Sequence, residues 1–330
     1  MRRIFLLVTT TLIISTVTAR ADAPATTRSS SAPSFTRQED VVYGRSYGAA
    51  LTMDVFRPAT AKPNGAGVIL VVSGGWVSAH ELLASPFFKL FVDPFTKRGY
   101  VVFAVCHACQ PKFQIPEIVG NINRAVRFIR YHARDYGVDP MRLGITGGSA
   151  GGHLSLMQGF APQPPKGDAP DPVDRTSSQV QAVACFFPPT DFLNYGKPGV
   201  NWLDLPKLEQ FRAAFDFQEL DPKSGVFLRV EQRSRIEELE KSVSPIYFIT
   251  RDDPPTLIAH GDADVLVPLE QSQRVIDKLK DLGVPAELIV KKGGNHGWAD
   301  GNVELEKFAD WFDKYLASDA DKRNDGKGDR

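Results

Sequence analysis

Short apolar runs alternate with longer segments of helical periodicity along most of the chain. From residue 67 onward the apolar runs are almost continuous rather than alternating, which is typical of strands that are covered on both faces. The runs predict strands at residues 51–56, 67–72, 101–105, 142–146, 180–187, 256–260 and 286–291.

Several segments between these runs carry apolar residues at helical spacing. In the clearest case six side chains fall on one stripe of a helix. They are Ile118, Ile122, Ala125, Val126, Ile129 and Ala133. Residues 270–282 and 303–316 repeat this behaviour. Strands and helices in series predict an α/β fold, with a mainly parallel sheet that is flanked by helices on both faces.

One segment breaks this rhythm. Residues 192–247 are longer than the connection between two parallel strands requires, and they are rich in aromatic side chains. These are Trp202, Phe211, Phe215, Phe217 and Phe227. We predict that this segment is a mostly helical insertion over one end of the sheet.

The two ends of the chain are predicted to lie outside the fold. Arg2 and Arg3 precede an apolar stretch, and residues 21–23 (Ala-Asp-Ala) have the small-x-small pattern of a signal-peptidase site, so residues 1–23 are predicted to be a signal peptide. A secreted or periplasmic protein is therefore expected, without stable membrane insertion, because the stretch is shorter than the roughly 20 apolar residues of a membrane span. A retained anchor is the alternative.

The segments next to the predicted domain have the composition of flexible chain. Residues 24–36 contain mostly Ala, Pro, Ser and Thr, and residues 319–330 are all small or charged. Both lack the apolar side chains that a packed core needs, so the first is predicted to be a flexible linker and the second a disordered tail. Residues 37–318 remain as the predicted folded domain.

The charge balance and the cysteines argue against several functions. The 330 residues include 39 Lys and Arg and 39 Asp and Glu, without a basic run interleaved with aromatics, which argues against nucleic-acid binding. Cys106 and Cys109 flank His107 with the spacing of half a metal or redox site, but no second such pair accompanies them. Structural thiols or a small loop disulfide are the favoured interpretation, and no metal is expected.

The candidate chemistry begins at residues 147–152, Gly-Gly-Ser-Ala-Gly-Gly. This run follows a predicted strand and precedes a helical segment, which is the context in which G-x-S-x-G marks a nucleophile. Gly147 and Gly151 permit a sharp turn that exposes the Ser149 hydroxyl, and the N-terminus of the next helix offers N–H groups to a developing anion. The run matches neither common phosphate-binding glycine pattern, so we predict that Ser149 is a nucleophile.

A serine nucleophile needs a base, and the base needs an acid that orients it. Among six histidines, His296 follows the last predicted strand in a Gly-rich loop and is the best candidate, while His260 ends a strand and is the main rival, with a structural role as its simplest interpretation. Two carboxylates, Asp262 and Asp264, follow that strand. The chain order of nucleophile, acid and base is itself diagnostic of one class of hydrolase.

These motifs resemble those of the α/β-hydrolase superfamily, in the esterase and lipase branch close to hormone-sensitive lipase-like and acetyl-esterase-like enzymes. The resemblance spans about residues 40–316 and implies the α/β-hydrolase fold. Its marks are Tyr43-Gly44, Leu51-Thr52-Met53-Asp54, Gly74-Gly75-Trp76, Val138-Asp139-Pro140, GGSAGGH at 147–153, HGDADVLVP at 260–268 and NHGW at 295–298.

The resemblance also implies roles for individual residues. In the family pattern H-G-x-x-D-x-x-V-P the second Asp is the triad acid, which selects Asp264 and leaves Asp262 to shape the loop. The family's oxyanion hole implies backbone donors at Gly74, Gly75 and Ala150.

The chain departs from the family at one point in the oxyanion loop. Val72 and Ser73 stand where similar enzymes have His-Gly. Backbone N–H groups do not depend on those side chains, so the hole is still expected. The departure bears on the stiffness of the loop and on the substrate class.

Together these features predict a serine hydrolase that cleaves carboxylic esters through an acyl-enzyme, without a cofactor. The expected substrate is a small-molecule or carbohydrate ester, such as an acetylated or feruloylated sugar. A peptidase or amidase of the prolyl-oligopeptidase-like type and a non-catalytic binding protein are the alternatives. The insertion is expected to form part of an apolar acyl or alcohol pocket. Predicted substrate-binding residues are Trp76, Asp191, Trp202, Phe215 and Trp298, with a turn-capping role as the equal alternative for Asp191.

Overall fold

The computed structural model describes residues 34–83 and 86–318, and ten strands lie within these ranges. They are β1 (Phe35–Ser46), β2 (Ala49–Pro58), β3 (Gly67–Val72), β4 (Val101–Cys106), β5 (Leu143–Gly148), β6 (Ala182–Phe186), β7 (Gln218–Leu220), β8 (Phe227–Arg229), β9 (Thr256–Gly261) and β10 (Ala286–Lys291). Eight form one sheet in the order β1-β2-β4-β3-β5-β6-β9-β10, and β7 pairs with β8. In the large sheet, β2 pairs antiparallel with β1 and β4, and all other pairs are parallel.

Helices connect the parallel strands. The α-helices of the described residues are α1 (His80–Leu83), α2 (Pro86–Thr96), α3 (Ile115–Tyr131), α4 (Ala150–Phe160), α5 (Arg233–Ser242), α6 (Glu270–Asp281) and α7 (Asn302–Tyr315). Short 3-10 helices lie at Ala133–Tyr136, Pro172–Arg175, Trp202–Asp204, Pro206–Phe215 and Pro245–Tyr247. None of the helices in these ranges combines the length and the apolar character that crossing a membrane requires.

The sheet separates two apolar cores. Alternate residues of a strand point to opposite faces, so Ile69 and Val71 of β3 pack with α3, α4 and α6, whereas Val68, Leu70 and Val72 pack with α2 and α7. Every residue of β3 is buried. Both faces of the central strands are therefore covered, which is why these strands are continuously apolar in sequence.

All seven strands predicted from the sequence are present, with ends that shift by a few residues. The sequence pattern does not predict β1, because this edge strand is mostly exposed and Tyr43 is its one buried residue. Phe35 and Thr36, assigned above to the linker, already belong to β1. The predicted signal peptide (residues 1–23), most of the predicted linker and the predicted tail (319–330) lie outside the described residues.

The insertion at residues 192–247 combines helices with a small ribbon. It contains α5 and the 3-10 helices at Trp202–Asp204, Pro206–Phe215 and Pro245–Tyr247, as expected for a helical segment. The antiparallel pair β7–β8 is an addition that the sequence pattern does not predict. Its strands have three residues each, and all their side chains are exposed, so no buried alternation marks them.

Candidate active site

Loops that follow the parallel strands meet at one edge of the sheet. Because the carboxyl ends of parallel strands lie side by side, residues far apart in sequence come together there. Ser149 follows β5, Asp264 follows β9 and His296 follows β10. The fold thus explains how the three predicted triad residues become neighbours.

Ser149 occupies a tight turn between β5 and α4. Its backbone has φ 55° and ψ −120°, a conformation that residues other than glycine seldom adopt and that raises the side chain off the end of the strand. The turn needs small neighbours on both sides. A Cβ at Gly147 would lie 2.6 Å from the Gly151 backbone, and a Cβ at Gly151 would lie 2.7 Å from the Val71 carbonyl oxygen. The glycines of the motif are therefore required by close packing of the turn.

A hydrogen-bond chain links the serine to a buried acid. The Ser149 Oγ lies 2.8 Å from His296 Nε2, and His296 Nδ1 lies 2.8 Å from Asp264 Oδ2. An ionised carboxylate only accepts hydrogen bonds, so the proton of the neutral ring resides on Nδ1. Nε2 is then left to accept the Ser149 hydroxyl proton.

Asp264 is held as an anion inside the protein. Its side chain is fully buried, and its Oδ1 accepts the backbone N–H groups of Leu266 and Val267 at 2.8 and 2.9 Å. Burial by itself would raise the pKa of Asp264, but hydrogen bonds from His260 and His296 outweigh it and hold the pKa well below its usual range. The carboxylate is therefore charged at any pH near neutrality.

Asp262 and His260, the alternatives to the predicted acid and base, have structural partners. Asp262 is exposed, and its Oδ1 accepts the Gly293 N–H at 2.6 Å, which joins the loops after β9 and β10. His260 is completely buried, with Nδ1 2.6 Å from Ser272 Oγ and Nε2 2.9 Å from the Val267 carbonyl oxygen. Neither side chain contacts Ser149, in agreement with the loop-shaping and structural interpretations.

The oxyanion loop after β3 offers fewer donors than predicted. The Gly74 N–H donates to the Val77 carbonyl at 2.9 Å, and the Val77 N–H returns a bond at 3.0 Å. The prediction for Gly74 is therefore wrong, because its N–H is already engaged. The Gly75 N–H has no acceptor within the described residues, and the Ala150 N–H belongs to the first turn of α4, where no intrahelical acceptor exists. Gly75 and Ala150 remain as donors beside Ser149.

Gln110, which no sequence pattern predicts as part of the site, holds this loop in place. Its side-chain Nε2 donates to the Gly75 carbonyl at 3.0 Å, and its backbone N–H donates to the Trp76 carbonyl at 3.2 Å. A second fastening joins Cys109 Sγ to both the N–H and the carbonyl of Ser78. These bonds supply loop restraint where the usual His-Gly is missing. No local motif marks Gln110, because its partner lies 35 residues earlier in the chain.

A small cavity opens beside Ser149, and we call it the Ser149 cavity. One wall comes from the oxyanion loop and α4, and another from the insertion. Its lining residues are Gly75, Trp76, Ser149, Ala150, Pro189, Tyr195, Trp202, Phe211, Leu266 and Val267. The predicted substrate-binding residues Trp76 and Trp202 thus face the site, and Phe211 joins them.

Two other predicted contacts lie elsewhere. Phe215 is 3% exposed and does not line the Ser149 cavity; its ring packs against those of Trp76 and Trp202. Asp191 is fully buried, and its carboxylate accepts the Leu193 N–H and pairs with Arg274 at 2.9 Å. The substrate-binding prediction is wrong for both residues, because packing and internal partners occupy their side chains. For Asp191 the capping alternative holds.

Trp298 lines a second, larger cavity, which we call the Trp298 cavity. It is mostly apolar and lies next to the turn before Ser149. Its lining residues include Leu90, Phe91, Gly148, Phe187, Gly297 and Trp298. The Phe187 ring lines this cavity and also packs against His296, with 4.5 Å between the ring centroids. Trp298 therefore lines a cavity, but none of the three predicted triad residues lines it, and its substrate-binding role stays a prediction.

Other histidines, cysteines and acids have structural surroundings. His153 Nδ1 accepts the Trp76 indole N–H, its Nε2 donates to the Val243 carbonyl, and burial lowers its pKa to about 4. Cys106 and Cys109 are free thiols, without a disulfide between them. In the described part of the chain, one cluster has metal-ligand chemistry: Asp40, Asp54 and His80. The Arg37 guanidinium already neutralises Asp54, which disfavours a cation there.

Comparison with known proteins identifies a family and relatives that are esterases. A model of the BD-FAE family matches residues 53–279. The chain is 26% identical, over 253 residues, to the probable carboxylic ester hydrolase LipM of Mycobacterium tuberculosis; the match covers 75% of this chain and 53% of LipM. The chain spans about half the length of the curated relatives it matches.

Solved structures agree with this result and support an α/β-hydrolase fold. A truncated carbohydrate esterase from gut microbiota is 25% identical with a TM-score of 0.69, and the match covers 86% of this chain and 97% of that one. A thermophilic esterase from Thermogutta terrifontis is 27% identical with a TM-score of 0.62, over 86% of this chain and 92% of that one.

Proposed function

The chain belongs to the BD-FAE family and has the α/β-hydrolase fold of esterases, and from this premise we propose that it hydrolyses carboxylic esters with Ser149, His296 and Asp264. One observation carries the proposal. The hydrogen bonds from Ser149 Oγ to His296 Nε2 and from His296 Nδ1 to Asp264 are both 2.8 Å long. That arrangement has the reach that proton transfer from a nucleophile to a base requires.

Acylation begins at Ser149. Its Oγ attacks the ester carbonyl carbon while His296 Nε2 takes the hydroxyl proton. Asp264 stays ionised, stabilises the imidazolium that forms and keeps the ring in the productive orientation. The low pKa of Asp264 suits this role, because the carboxylate must not take the proton itself.

The negative charge on the carbonyl oxygen needs preformed donors. The N–H groups of Gly75 and Ala150 flank Ser149 and are available for this purpose. One such donor stabilises a tetrahedral intermediate by about 2.7–4 kcal/mol. The bonds from Gln110 to the carbonyls of Gly75 and Trp76 keep the loop rigid, so the donors need no rearrangement during the reaction.

His296 transfers the proton that completes each of the two half-reactions. It passes its proton to the leaving alkoxide as the carbon–oxygen bond breaks, and the acyl group stays on Ser149. A water molecule then loses a proton to His296 Nε2 and attacks the acyl carbon. Return of that proton to Ser149 Oγ releases the carboxylic acid and restores the enzyme.

The alcohol part of the substrate in this proposal is a sugar or another small molecule. Support comes from the carbohydrate esterase that is similar over 86% of the chain. Secretion or export to the periplasm belongs to the same proposal, on the strength of the signal-like residues 1–23. Mass spectrometry of protein made by secreting cells tests it: loss of the first 23 residues is expected, and an intact N-terminus would contradict export by cleavage.

Turnover assays on purified protein test the activity. Nitrophenyl acetate, an acetylated xyloside and an aminoacyl nitroanilide represent aryl esters, sugar esters and amides. We expect hydrolysis of the esters and a loss of at least ~10³-fold in Ser149→Ala. Ser155→Ala is the matched control, because Ser155 lies on α4 but bonds to the Gly151 carbonyl. Hydrolysis of the anilide alone would favour the amidase alternative, and activity that persists in Ser149→Ala would remove the assigned nucleophile.

A further inference from the structure

A wide groove lies between the insertion, the start of α3 and the turn that joins β1 to β2, and we call it the aromatic groove. The space open to the centre of a water molecule is about 520 Å³, against about 20 Å³ in the Ser149 cavity. Three aromatic rings meet in the groove. The centroid of the Tyr47 ring lies 6.1 Å from that of Phe113 and 6.5 Å from that of Phe227. The lining also includes the polar side chains of Lys112, Gln114, Glu117, Gln218 and Glu219.

Two of the three rings are exposed to solvent. Tyr47 is 68% exposed and Phe227 is 53% exposed, whereas Phe113 is buried. Tyr47 and Gly48 form the two-residue turn between β1 and β2, and both have positive φ, 46° and 83°. Such a turn favours Asn-Gly, and a bulky residue with positive φ is uncommon. The fold therefore holds an exposed aromatic ring where the backbone itself favours a small polar residue.

The aromatic groove lies at the same edge of the sheet as Ser149. β2 runs antiparallel to β4, and Met53 of β2 pairs with Val105 near the end of β4. The turn that carries Tyr47 therefore projects beyond the carboxyl end of β4. Residues 112–117 follow that same strand end. Loops after the carboxyl ends of the strands thus form both the groove and the proposed catalytic site.

A short chain of aromatic contacts connects the aromatic groove to the Ser149 cavity. Trp202 lines the cavity and Phe217 lines the groove. The Phe215 ring packs against both, with centroid distances of 5.1 Å to Trp202 and 6.0 Å to Phe217. The cavity and the groove are therefore close neighbours, and a ligand of several sugar rings can extend from one to the other.

The charges around the aromatic groove balance. Glu219 pairs with Arg235 at 2.6 Å, and Lys112 and Glu117 carry opposite charges. Gln218 adds an exposed amide, which both donates and accepts hydrogen bonds. An anionic ligand would require an excess of Lys and Arg, which this lining lacks. Exposed rings with a balanced polar rim instead suit a neutral ligand that has apolar faces and many hydroxyl groups.

We propose that the aromatic groove binds the neutral sugar chain of a polymeric ester substrate, an inference that rests on the proposed function of the Ser149 site. The C–H faces of sugar rings pack on Tyr47 and Phe227, and their hydroxyl groups bond to the polar rim. The groove lies beside the Ser149 cavity rather than within it. It therefore contributes to binding when the alcohol part of the ester is a glycan chain, and not when it is a single small group.

Binding and turnover assays test this inference separately. Affinity electrophoresis in gels that contain soluble deacetylated xylan or glucomannan measures glycan binding without any reaction. Steady-state kinetics compares kcat/KM for acetylated xylan with that for nitrophenyl acetate. The variants are Tyr47→Asn, which suits the turn, Phe227→Ala and the double variant. We expect at least one glycan to retard the wild type. Each substitution should lower the affinity and the xylan-to-nitrophenyl-acetate ratio about 10-fold, the effect of losing an aromatic anchor.

Leu228→Ala is the matched control. Leu228 follows Phe227 on β8 and is equally exposed, at 53%, but it points to the other face of the ribbon and does not line the aromatic groove. Its replacement should change neither glycan affinity nor the ratio of kcat/KM.

Retardation by neither glycan, or equal retardation of the wild type and the double variant, would overturn the inference. A wild-type dimer that the double variant dissociates would do so too, because a second copy of the chain would then occupy the groove. Failure of the wild type to hydrolyse nitrophenyl acetate would instead remove the proposed function. Glycan binding is measured without turnover, so the two failures are distinguishable.

Discussion

The tight turn around Ser149 (residues 147–153) and the insertion (residues 192–247) both border the Ser149 cavity, but the sequence determines their structures in different ways. Local sterics set the conformation of this turn: Ser149 has φ 55°, and Gly147, Gly151 and Gly152 have no space for a Cβ. In the insertion, Phe211 lines the cavity, Phe215 packs in the core and Phe227 is 53% exposed, and only long-range packing decides between these positions. A sequence motif thus predicts where an individual side chain lies. A segment that is rich in aromatic residues predicts only that some of them are buried.

The comparison between the two regions is tested by substitutions, and the largest effect is expected at Asp264. If the motif places the triad acid, Asp264→Asn should lower turnover by about 10⁴-fold, because the wrong imidazole tautomer is then favoured. Asp262→Asn is the control and should be far milder, since Asp262 only ties the Gly293 N–H. Steady-state kinetics on an acetate ester measures both. Equal losses would show that the two carboxylates share one role.

The next effect concerns the insertion. Phe215 is 3% exposed, with ring centroids of Phe192 and Trp202 at 4.8 and 5.1 Å. Phe215→Ala should therefore lower the free energy of unfolding by about 3–5 kcal/mol and the Tm by roughly 10 °C. The ratio of kcat/KM for a nitrophenyl butyrate to that for the acetate should stay as in the wild type. A changed ratio with unchanged Tm would place Phe215 in the pocket after all.

A smaller effect is expected at Gln110, which holds the loop after β3 beside Ser149. Gln110→Ala removes one hydrogen bond to the Gly75 carbonyl but leaves the backbone bond to Trp76. We expect kcat to fall about 3- to 10-fold with little change in KM, because the loop acts mainly on the oxyanion. Gln110→Glu should behave alike, since a carboxylate cannot donate this bond. A rise in KM at constant kcat would argue against the positioning role.

The smallest effect is a pH dependence in the insertion. Burial raises the pKa of Glu240 to about 7, although a hydrogen bond from Asn201 and the charge of Arg233 lower it. Because the folded pKa lies above the usual value, the protonated Glu240 side chain contributes to the free energy of unfolding at pH 4. This contribution is lost as the pH rises through 7. Glu240→Gln should match the wild-type Tm near pH 4 and exceed it at pH 8. A Tm deficit of the variant at both pH values would contradict this.

Much of the fold, and the residues of the proposed triad, could be predicted from the sequence, for identifiable reasons. Strands buried on both faces are continuous apolar runs, and the strand-turn-helix context of Ser149 is local. Edge strand β1 escapes prediction because almost nothing of it is buried. Gln110 and Phe187 escape it because their roles depend on contacts with Gly75 and His296, far away in the chain.

The oxyanion loop shows the same limit from the other side. Family resemblance implies Gly74 as a donor, but a backbone bond to Val77 takes that N–H. Sequence identity at a glycine does not reveal how its peptide plane is turned. That orientation depends on the partners of the neighbouring carbonyls, here Gln110 and Val77.

One measurement tests the central claim most directly: covalent labelling with a fluorophosphonate probe, which reacts with an activated serine. The account predicts one probe molecule per wild-type chain, on the peptide that contains Ser149. It predicts no labelling of Ser149→Ala and strongly reduced labelling of His296→Ala, in which the base is lost. Labelling of Ser149→Ala at the wild-type rate, or modification of another residue, would contradict the assignment of the nucleophile.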